Sequence, residues 1–416
     1  MRVTHLSLTN FRNYIRLEAD LPAGPLILVG GNAQGKTSLL EALYYLASAS
    51  SPHATTDRQL IHWLALRNDP RPFLKIVAEV HTAHEIRKID IRLEVEDALA
   101  GAAREPRLKK TVLINGLKKR AGDLSSAVNI VLFLPQDMAL VEGSPSDRRR
   151  YLDTTLAQID PVYALALGEY QKILAQRNAL LKQLQERSNG ATELEFWDGE
   201  LCRHGAALIA TRAKSLEEIE RYASQIHRDL TEGVEHLRLV YQPAFDPLEA
   251  DTPQLAFGLE VPVTRAGLTP DLIASKLREK LEASRAQEIE RGMTLTVPHR
   301  DDLRFLASGI DLGIYGSRGQ GRTAVLSLKL AELAWLTDRT GEPPILLLDE
   351  VLAELDPHRR RDLLKRLGRV EQSVMTTTDL SLFEKEFVET VETWRVNAGT
   401  IITKRLSLNP KGLQDL

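Results

Sequence analysis

The residues of this chain that could do chemistry are a lysine and a threonine behind a glycine-rich loop, and two carboxylates far downstream. Gly30, Gly31, Asn32, Ala33, Gln34, Gly35, Lys36 and Thr37, followed by Ser38, fit the pattern G-x-x-x-x-G-K-[ST]. In such a loop the backbone N–H groups close around phosphates, and the following helix N-terminus adds partial positive charge. Lys36 would reach the β- and γ-phosphates of a nucleotide such as ATP, and the Thr37 hydroxyl would ligate Mg²⁺. Asp349 and Glu350 end the apolar run Ile345-Leu-Leu-Leu348. There Asp349 would bind the metal and Glu350 would polarise an attacking water as general base.

These residues need a particular scaffold. Pro25-Leu-Ile-Leu-Val29 reads as a buried strand feeding the glycine loop, and Leu39, Leu40, Leu43 and Leu46 mark a helix after it. Asp349 is expected at the end of a neighbouring parallel strand. Thr37 and Asp349 are 312 residues apart, ten times the length of one strand-helix-strand crossover of about 30 residues, so the sheet must be built from both ends of the chain. In between, residues 74 to 95 read as two or three strands, and Asn115-Gly116 as a hairpin turn. Leu167, Tyr170, Leu174, Leu181 and Leu184, then Leu194, Trp197, Leu201 and Leu208, read as helices on either side of Ser188-Asn189-Gly190. They form either a subdomain packed on the head or a projecting coiled coil. Thr269-Pro270 starts a third helix, and strand signals return at Met293 to Leu295.

The bulk properties fit a folded protein with two lobes. The chain has 416 residues, 43% hydrophobic and 27% charged, with a net charge of −3. That balance predicts any nucleic-acid surface to be a local patch. The single Cys202 allows no intrachain disulfide, which suits a reducing, cytoplasmic setting. No apolar run nears the roughly 18 residues of a membrane span, and no signal-peptide core is visible.

A helical insertion between two halves of a nucleotide-binding head resembles the SMC type of ATP-binding-cassette ATPase. That class predicts a further loop, and Ser317, Arg318, Gly319 and Gln320 supply it ahead of a helical run with Leu326, Leu330, Leu333 and Leu336. Its hydroxyl and free N–H groups suit an anion. The resemblance implies that the loop serves a partner subunit's γ-phosphate.

The motifs Asn10-Phe-Arg-Asn-Tyr14, Phe133-Leu-Pro-Gln136-Asp137, Gly143-Ser-Pro-Ser-Asp-Arg148-Arg-Arg-Tyr-Leu-Asp153, Pro298-His-Arg-Asp-Asp302, Tyr315 to Gln320, and Leu346 to Asp356 together resemble the RecF family of bacterial recombination-repair ATPases, from residue 1 to about 380. The resemblance implies an α/β fold: a P-loop ABC-type ATPase head assembled from both ends of the chain, with an inserted helical arm subdomain. The expected parts are residues 1–155 and 291–416 for the head and 156–290 for the arm. It also implies an ATP-dependent homodimer, weak DNA-stimulated ATPase activity, binding to double-stranded and gapped DNA, and partnership with RecR and RecO.

Carried over by position, Gln136 senses Mg²⁺ and water, and Asp356 belongs to the loop crossing the dimer interface. Val297 and Gly321 depart from the family pattern, where Gly and a second Gln are frequent. Thr378 stands near the place of a switch residue, and the loop between Glu96 and Arg107 looks long. For DNA, the segment from Arg104 to Arg120 offers Lys109, Lys110, Lys118, Lys119 and Arg120 with only Glu105 against them, while the Arg148 to Arg150 and Arg359 to Arg361 runs read as intramolecular pairing. The competing readings are an SMC-like structural protein and a transporter ATPase subunit. The helical insertion argues against the latter.

Overall fold

The computed structural model describes residues 1–96, 107–186, 191–248, 264–296, 298–368 and 370–403. The loop residues Arg104 and Glu105, the Ser188 to Gly190 break and Val297 lie outside them. The described chain forms two compact units, residues 1–136 with 336 onward, and residues 137–335.

The first unit holds two six-stranded sheets. One is antiparallel, in the order Tyr14–Asp20, Arg2–Phe11, Phe73–His81, Ile86–Glu96, Arg107–Ile114, Leu117–Lys119. Its first long strand buries Val3, Leu6 and Leu8 completely. The three-residue step from Val3 to Leu6 breaks a two-residue period, and a bulge between Val3 and His5 absorbs it. The expected Asn-Gly hairpin is present, with Asn115 and Gly116 at φ 51° and 78°.

The other sheet runs Thr400–Thr403, Glu392–Asn397, Gly24–Val29, Gln372–Thr377, Ile345–Asp349, Ile130–Phe133. All pairs are parallel except the first. Ile345, Leu346, Leu347 and Leu348 are all buried, as a strand covered on both faces requires. The strands come from both ends of the chain, as the 312-residue spacing demanded. One expectation is refined: Asp349's strand is not next to the glycine-loop strand, because Gln372–Thr377 lies between them. Buried Gln372 ties the two sheets together. Its Nε2 donates to Val3 O and Pro22 O at 2.8 and 2.9 Å, and its Oε1 accepts from Val3 N at 2.8 Å.

The second unit packs helices Pro161–Glu186, Leu194–Leu230 and Pro270–Arg291 pairwise. The third helix expected from Thr269-Pro270 thus packs with the other two. Thr269 caps the third through Leu272 N, with Pro270 at the first position, as expected. Buried arginines pin the helices. Arg177 reaches Asp198 and Glu288, each at 2.7 Å, while Arg212 reaches Asp153 and Asp301, each at 2.7 Å. Charges so buried are tolerated because each guanidinium has several acceptors.

The strand expected at Met293 to Leu295 is absent. Thr294 N is taken by Asn178 Oδ1 at 2.9 Å and Leu295 N by Glu288 Oε1 at 2.7 Å, so side chains satisfy the amides that a sheet would have used.

The unit boundaries also differ from the expected 156–290. A three-stranded sheet of Leu237–Gln242, Asp302–Ala307 and Ile310–Asp311 packs with the arm helices, and the helix Arg318–Thr340 follows it. The Ser317 to Gln320 loop therefore belongs to the second unit, not to the C-terminal half of the head.

Candidate nucleotide-binding site

The glycine loop joins the strand Gly24–Val29 to the helix Lys36–Ser48, the context the pattern requires. Two glycines are fixed by sterics. A Cβ on Gly30 would lie 2.4 Å from Val396 O, and Gly35, at φ +114°, would place one 2.6 Å from Asn13 Nδ2. The loop is held from outside by groups that the motif does not contain. Asn13 Nδ2 donates to Gln34 O at 2.9 Å and the Tyr14 hydroxyl to Gly35 O at 3.0 Å. From the hairpin at the other end of the chain, Ala398 N donates to Gln34 Oε1 at 2.8 Å and Gly399 N to Gln34 O at 2.9 Å. Nothing local in the sequence links Ala398 and Gly399 to Gln34.

The reactive side chains converge as expected. Lys36 is buried, and its Nζ donates to Gly30 O and Gly31 O at 2.8 and 2.9 Å. Glu350 Oε1 lies 3.3 Å from that ammonium. Thr37 Oγ1 donates to the two oxygens of Asp349 at 2.9 and 3.0 Å. Asp349 also accepts from Thr376 Oγ1 at 2.7 Å, while Thr376 Oγ1 accepts from Glu350 N at 2.9 Å. Glu350 sits at φ +52°, a backbone conformation that is costly for a long side chain. The Thr376 bond helps fix that turn.

Thr376, not Thr378, is the residue of its run that touches this centre. Thr378 is exposed and does not line the pocket. Thr376 lies inside the strand Gln372–Thr377, next to Asp349, whereas Thr378 lies beyond the strand's last residue, where the ladder no longer fixes its direction.

The surrounding groove is lined by Arg12, Asn13, residues Asn32 to Ser38, Gln59, Ile61, Trp63, Pro135, Gln136, Asp349 and Glu350. Gln136 lines the same groove as the two carboxylates. Arg12 makes a two-pronged ion pair to Glu41 at 2.7 and 2.6 Å. Trp63 stands 61% exposed on this wall. It starts the short helix Trp63–Asn68, which is capped by His62 Nδ1 accepting from Leu64 N at 3.1 Å. Burial holds the His62 pKa below its ordinary value, so the ring stays an acceptor. Ile61 and Trp63 lie outside every motif, and no pattern in the sequence marks them.

The donor set fits a hard divalent cation. Thr37, Asp349 and Gln136 offer a hydroxyl, a carboxylate and an amide oxygen, the ligands Mg²⁺ prefers. Among the described residues no three His, Cys, Asp or Glu side chains cluster as a metal cage, so the remaining ligands would be phosphate oxygens and water.

In the second unit, Ser317 and Gln320 form a reciprocal cap. Ser317 N donates to Gln320 Oε1 at 2.9 Å, and Gln320 N donates to the Ser317 hydroxyl at 3.2 Å. Arg318 begins the helix. A Cβ on Gly319 would meet nothing closer than Ser317 Oγ at 3.9 Å, so this glycine leaves open space in front of the loop. Gly321, by contrast, packs on Met138: a Cβ there would fall 2.9 Å from Met138 Cε.

Asp356 caps the helix Pro357–Leu367, accepting from His358 N and Arg359 N, each at 3.0 Å. Those bonds and the Arg359 guanidinium outweigh desolvation and hold its pKa below the usual range.

Of the basic candidates, Lys110 is committed internally, donating to Ala49 O at 2.8 Å, pairing with Asp57 at 2.7 Å and lying over the Tyr45 ring. Lys109 pairs with Glu96 at 3.2 Å. Lys118, Lys119 and Arg120 are exposed at the sheet edge. Arg148 pairs with Asp302, Arg150 with Asp147 and Arg359 with Asp356, as expected of intramolecular runs.

Comparison with known proteins agrees with this geometry. Residues 2–401 match the RecF/RecN/SMC N terminal domain family. The DNA replication and repair protein RecF of Chloroflexus aurantiacus is 40% identical over 416 residues, covering 96% of this chain and 99% of its own. That of an Exiguobacterium species is 35% identical over 404 residues, covering 97% and 100%. Among solved structures, the recombination mediator protein RecF-ATP in the RecFOR pathway superposes with a TM-score of 0.80 at 29% identity, over 97% of each chain. With the glycine loop, the Thr37–Asp349 pair and the Ser317 loop in place, the chain belongs to the RecF family, an SMC-like branch of the ABC ATPases.

Proposed function

We propose that this chain is an ATP-dependent DNA-binding protein of DNA replication and recombinational repair, in which ATP drives head-to-head dimerisation on double-stranded DNA near single-stranded gaps and slow hydrolysis resets it. The observation that carries the reading is Thr37 Oγ1 against Asp349 at 2.9 Å, beside the buried Lys36. In this reading the loop amides and Lys36 bind the β- and γ-phosphates, with Lys36 turning from its carbonyl acceptors to the nucleotide. Thr37, Asp349 and Gln136 would hold Mg²⁺, which would supply Lewis-acid neutralisation of developing phosphate charge. Glu350, within 3.3 Å of Lys36, takes the proton of the attacking water.

The open space at Gly319 and the capped Ser317 hydroxyl support a role for residues Ser317 to Gln320 on the γ-phosphate of a second subunit's nucleotide, and Asp356 lies in the loop between the subunits. Each phosphate then helps hold two heads together, so hydrolysis acts as a timer on the closed state.

The RecFOR pathway in the solved relative's name supports work with RecO and RecR, recombinase loading is part of the proposal, and the exposed Lys118, Lys119 and Arg120 are the candidate duplex contacts. The test is binding of the purified protein to gapped duplex, with and without ATP, across a salt series. Tighter binding with ATP and a steep salt slope are expected. Equal binding in both states, with RecR present or absent, would remove the clamp.

A further inference from the structure

The Ser317 loop makes outward contacts that the nucleotide chemistry does not use. With Gln320 Oε1 engaged by Ser317 N, the Gln320 Nε2 donates to Glu235 Oε1 at 2.9 Å. The other oxygen of Glu235 lies 3.2 Å from His227 Nε2, and His227 Nδ1 lies 3.0 Å from Ser327 Oγ. Ser327 donates to Thr323 O at 2.7 Å, and Thr323 Oγ1 to Gly319 O at 2.8 Å. The path leaves the loop through Gln320, reaches the arm's long helix, and returns to the loop at Gly319.

His227 is wholly buried in the last turn of Leu194–Leu230. A buried imidazole is tolerated only when its nitrogens have partners. Here one partner lies on the helix Arg318–Thr340 and the other in the turn that leaves the arm helix. Thr231 secures that turn, donating to His227 O at 2.8 Å and accepting from Glu235 N at 3.3 Å. Glu235 and His227 therefore move together with the end of the arm helix. Glu235 in turn fixes the Gln320 rotamer, and through it the backbone and hydroxyl of Ser317.

We infer that Glu235 is a positioning residue for the Ser317 to Gln320 loop, and that Gln320, Glu235 and His227 form a relay tying the seating of the arm's long helix to the presentation of Ser317. Without Glu235, Gln320 gains rotamers and the first turn of its helix frays, although every group of the nucleotide pocket stays in place. The inference rests on the reading above, in which Ser317 meets a second subunit's nucleotide, and its test separates the two.

Full-length Glu235→Ala, Glu235→Asp and Glu235→Gln proteins are compared with wild type in three measurements: amide hydrogen exchange of the monomer, ATP affinity per monomer, and ATP-dependent self-association by sedimentation. Loss of a charge-assisted bond predicts about tenfold faster exchange at residues 317–321 and about tenfold weaker association in the Ala protein. Exchange at residues 30–38 and ATP affinity stay within about twofold, since the affected contact is worth nothing at the pocket. Asp keeps the charge but is a methylene too short to span both partners, so it follows Ala, whereas Gln keeps an acceptor for Gln320 and recovers. A generic need for negative charge at this position would be met by Asp. Wild-type exchange at 317–321 in both the Ala and Asp proteins overturns the relay. If wild type binds ATP but does not self-associate, the dimer reading fails, and the exchange data still decide the relay. If the Ala protein does not fold, Asp against Gln carries the comparison.

Discussion

Thr37 and Asp349 lie 312 residues apart in the chain, and their side chains meet at 2.9 Å. The hydroxyl donates to both carboxylate oxygens, so these two residues form one centre supplied by opposite ends of the sequence. Asp349→Asn places an amide where Thr37 and Thr376 both donate. ATP turnover is expected to fall roughly 100-fold or more, with loss of the Mg²⁺ dependence of ATP binding. A phosphate-release assay and a nucleotide titration with and without Mg²⁺ check this. Glu350→Gln is expected to lower turnover by about 10²- to 10⁴-fold while leaving Mg²⁺-dependent binding intact. Turnover at the wild-type rate would dismiss Glu350 as the base.

Trp63 should report on the nucleotide. It is 61% exposed and lines the groove with Ile61 and Pro135. Flat apolar surface of this kind stacks on a base, and one such contact is worth about 1–3 kcal/mol. ATP is expected to change the intrinsic fluorescence of wild type, and Trp63→Phe to lose that signal while binding ATP with less than about tenfold weakening. Trp63→Ala should bind roughly tenfold or more weakly. An unaltered fluorescence response in Trp63→Phe would show that the base lies elsewhere.

The C-terminal hairpin should matter to ATP binding although no motif includes it. Gly399 has φ +73°, and a Cβ there would lie 2.4 Å from Asn13 O, the backbone beside the loop's own clamp. Gly399→Ala is expected to cost about 1–3 kcal/mol of stability through backbone strain. It should also loosen Gln34, raising the ATP dissociation constant with little change in kcat. Thermal melts and a nucleotide titration check the two effects separately.

The basic sheet edge predicts a salt signature. Replacing Lys118, Lys119 and Arg120 by Ala should lower the slope of log K against log salt by roughly 0.9 per contact, close to 3 in total, for duplex DNA. Lys110→Ala should leave the slope alone and lower the melting temperature instead, because Lys110 is spent on Ala49 O and Asp57. A slope unaltered by the triple change would move the DNA face elsewhere.

His299 predicts a pH dependence of stability. Its ring is neutral, with the pKa lowered to about 4 by burial and by Arg300, Arg149 and Arg212, and its Nδ1 lies 3.0 Å from the Tyr170 hydroxyl. The unfolded chain takes up a proton near the ordinary value of about 6.5, so between that pH and about 4 the unfolded state binds more protons. Stability is therefore fully present above about 6.5, is lost as pH falls, and levels off below about 4 for this group. His299→Gln should flatten that part of the melting-temperature profile. An equally steep profile in the variant would assign the slope to other groups.

The phosphate-loop pattern and the strand-end acids could be read directly from the residues. Gly30 to Ser38, Asp349 and Glu350 were legible because a phosphate loop and a strand-end acid depend on local backbone form and on residue type, which short windows of sequence carry. Their 312-residue separation even required a sheet built from both ends. The groups that hold these residues in place came into view with the fold. Asn13, Gly399 and Thr376 act through one or two hydrogen bonds each, formed when distant segments meet, and such bonds leave no periodic trace. The same reason explains the misread segment at Met293 to Leu295, whose amides are taken by Asn178 and Glu288 from neighbouring helices. It also explains the basic segment, where charge alone could not separate Lys110, turned inward to Asp57, from Lys118 and Lys119 on an open edge. Residue type sets what a side chain can bind, and packing sets which of its possible partners is within reach.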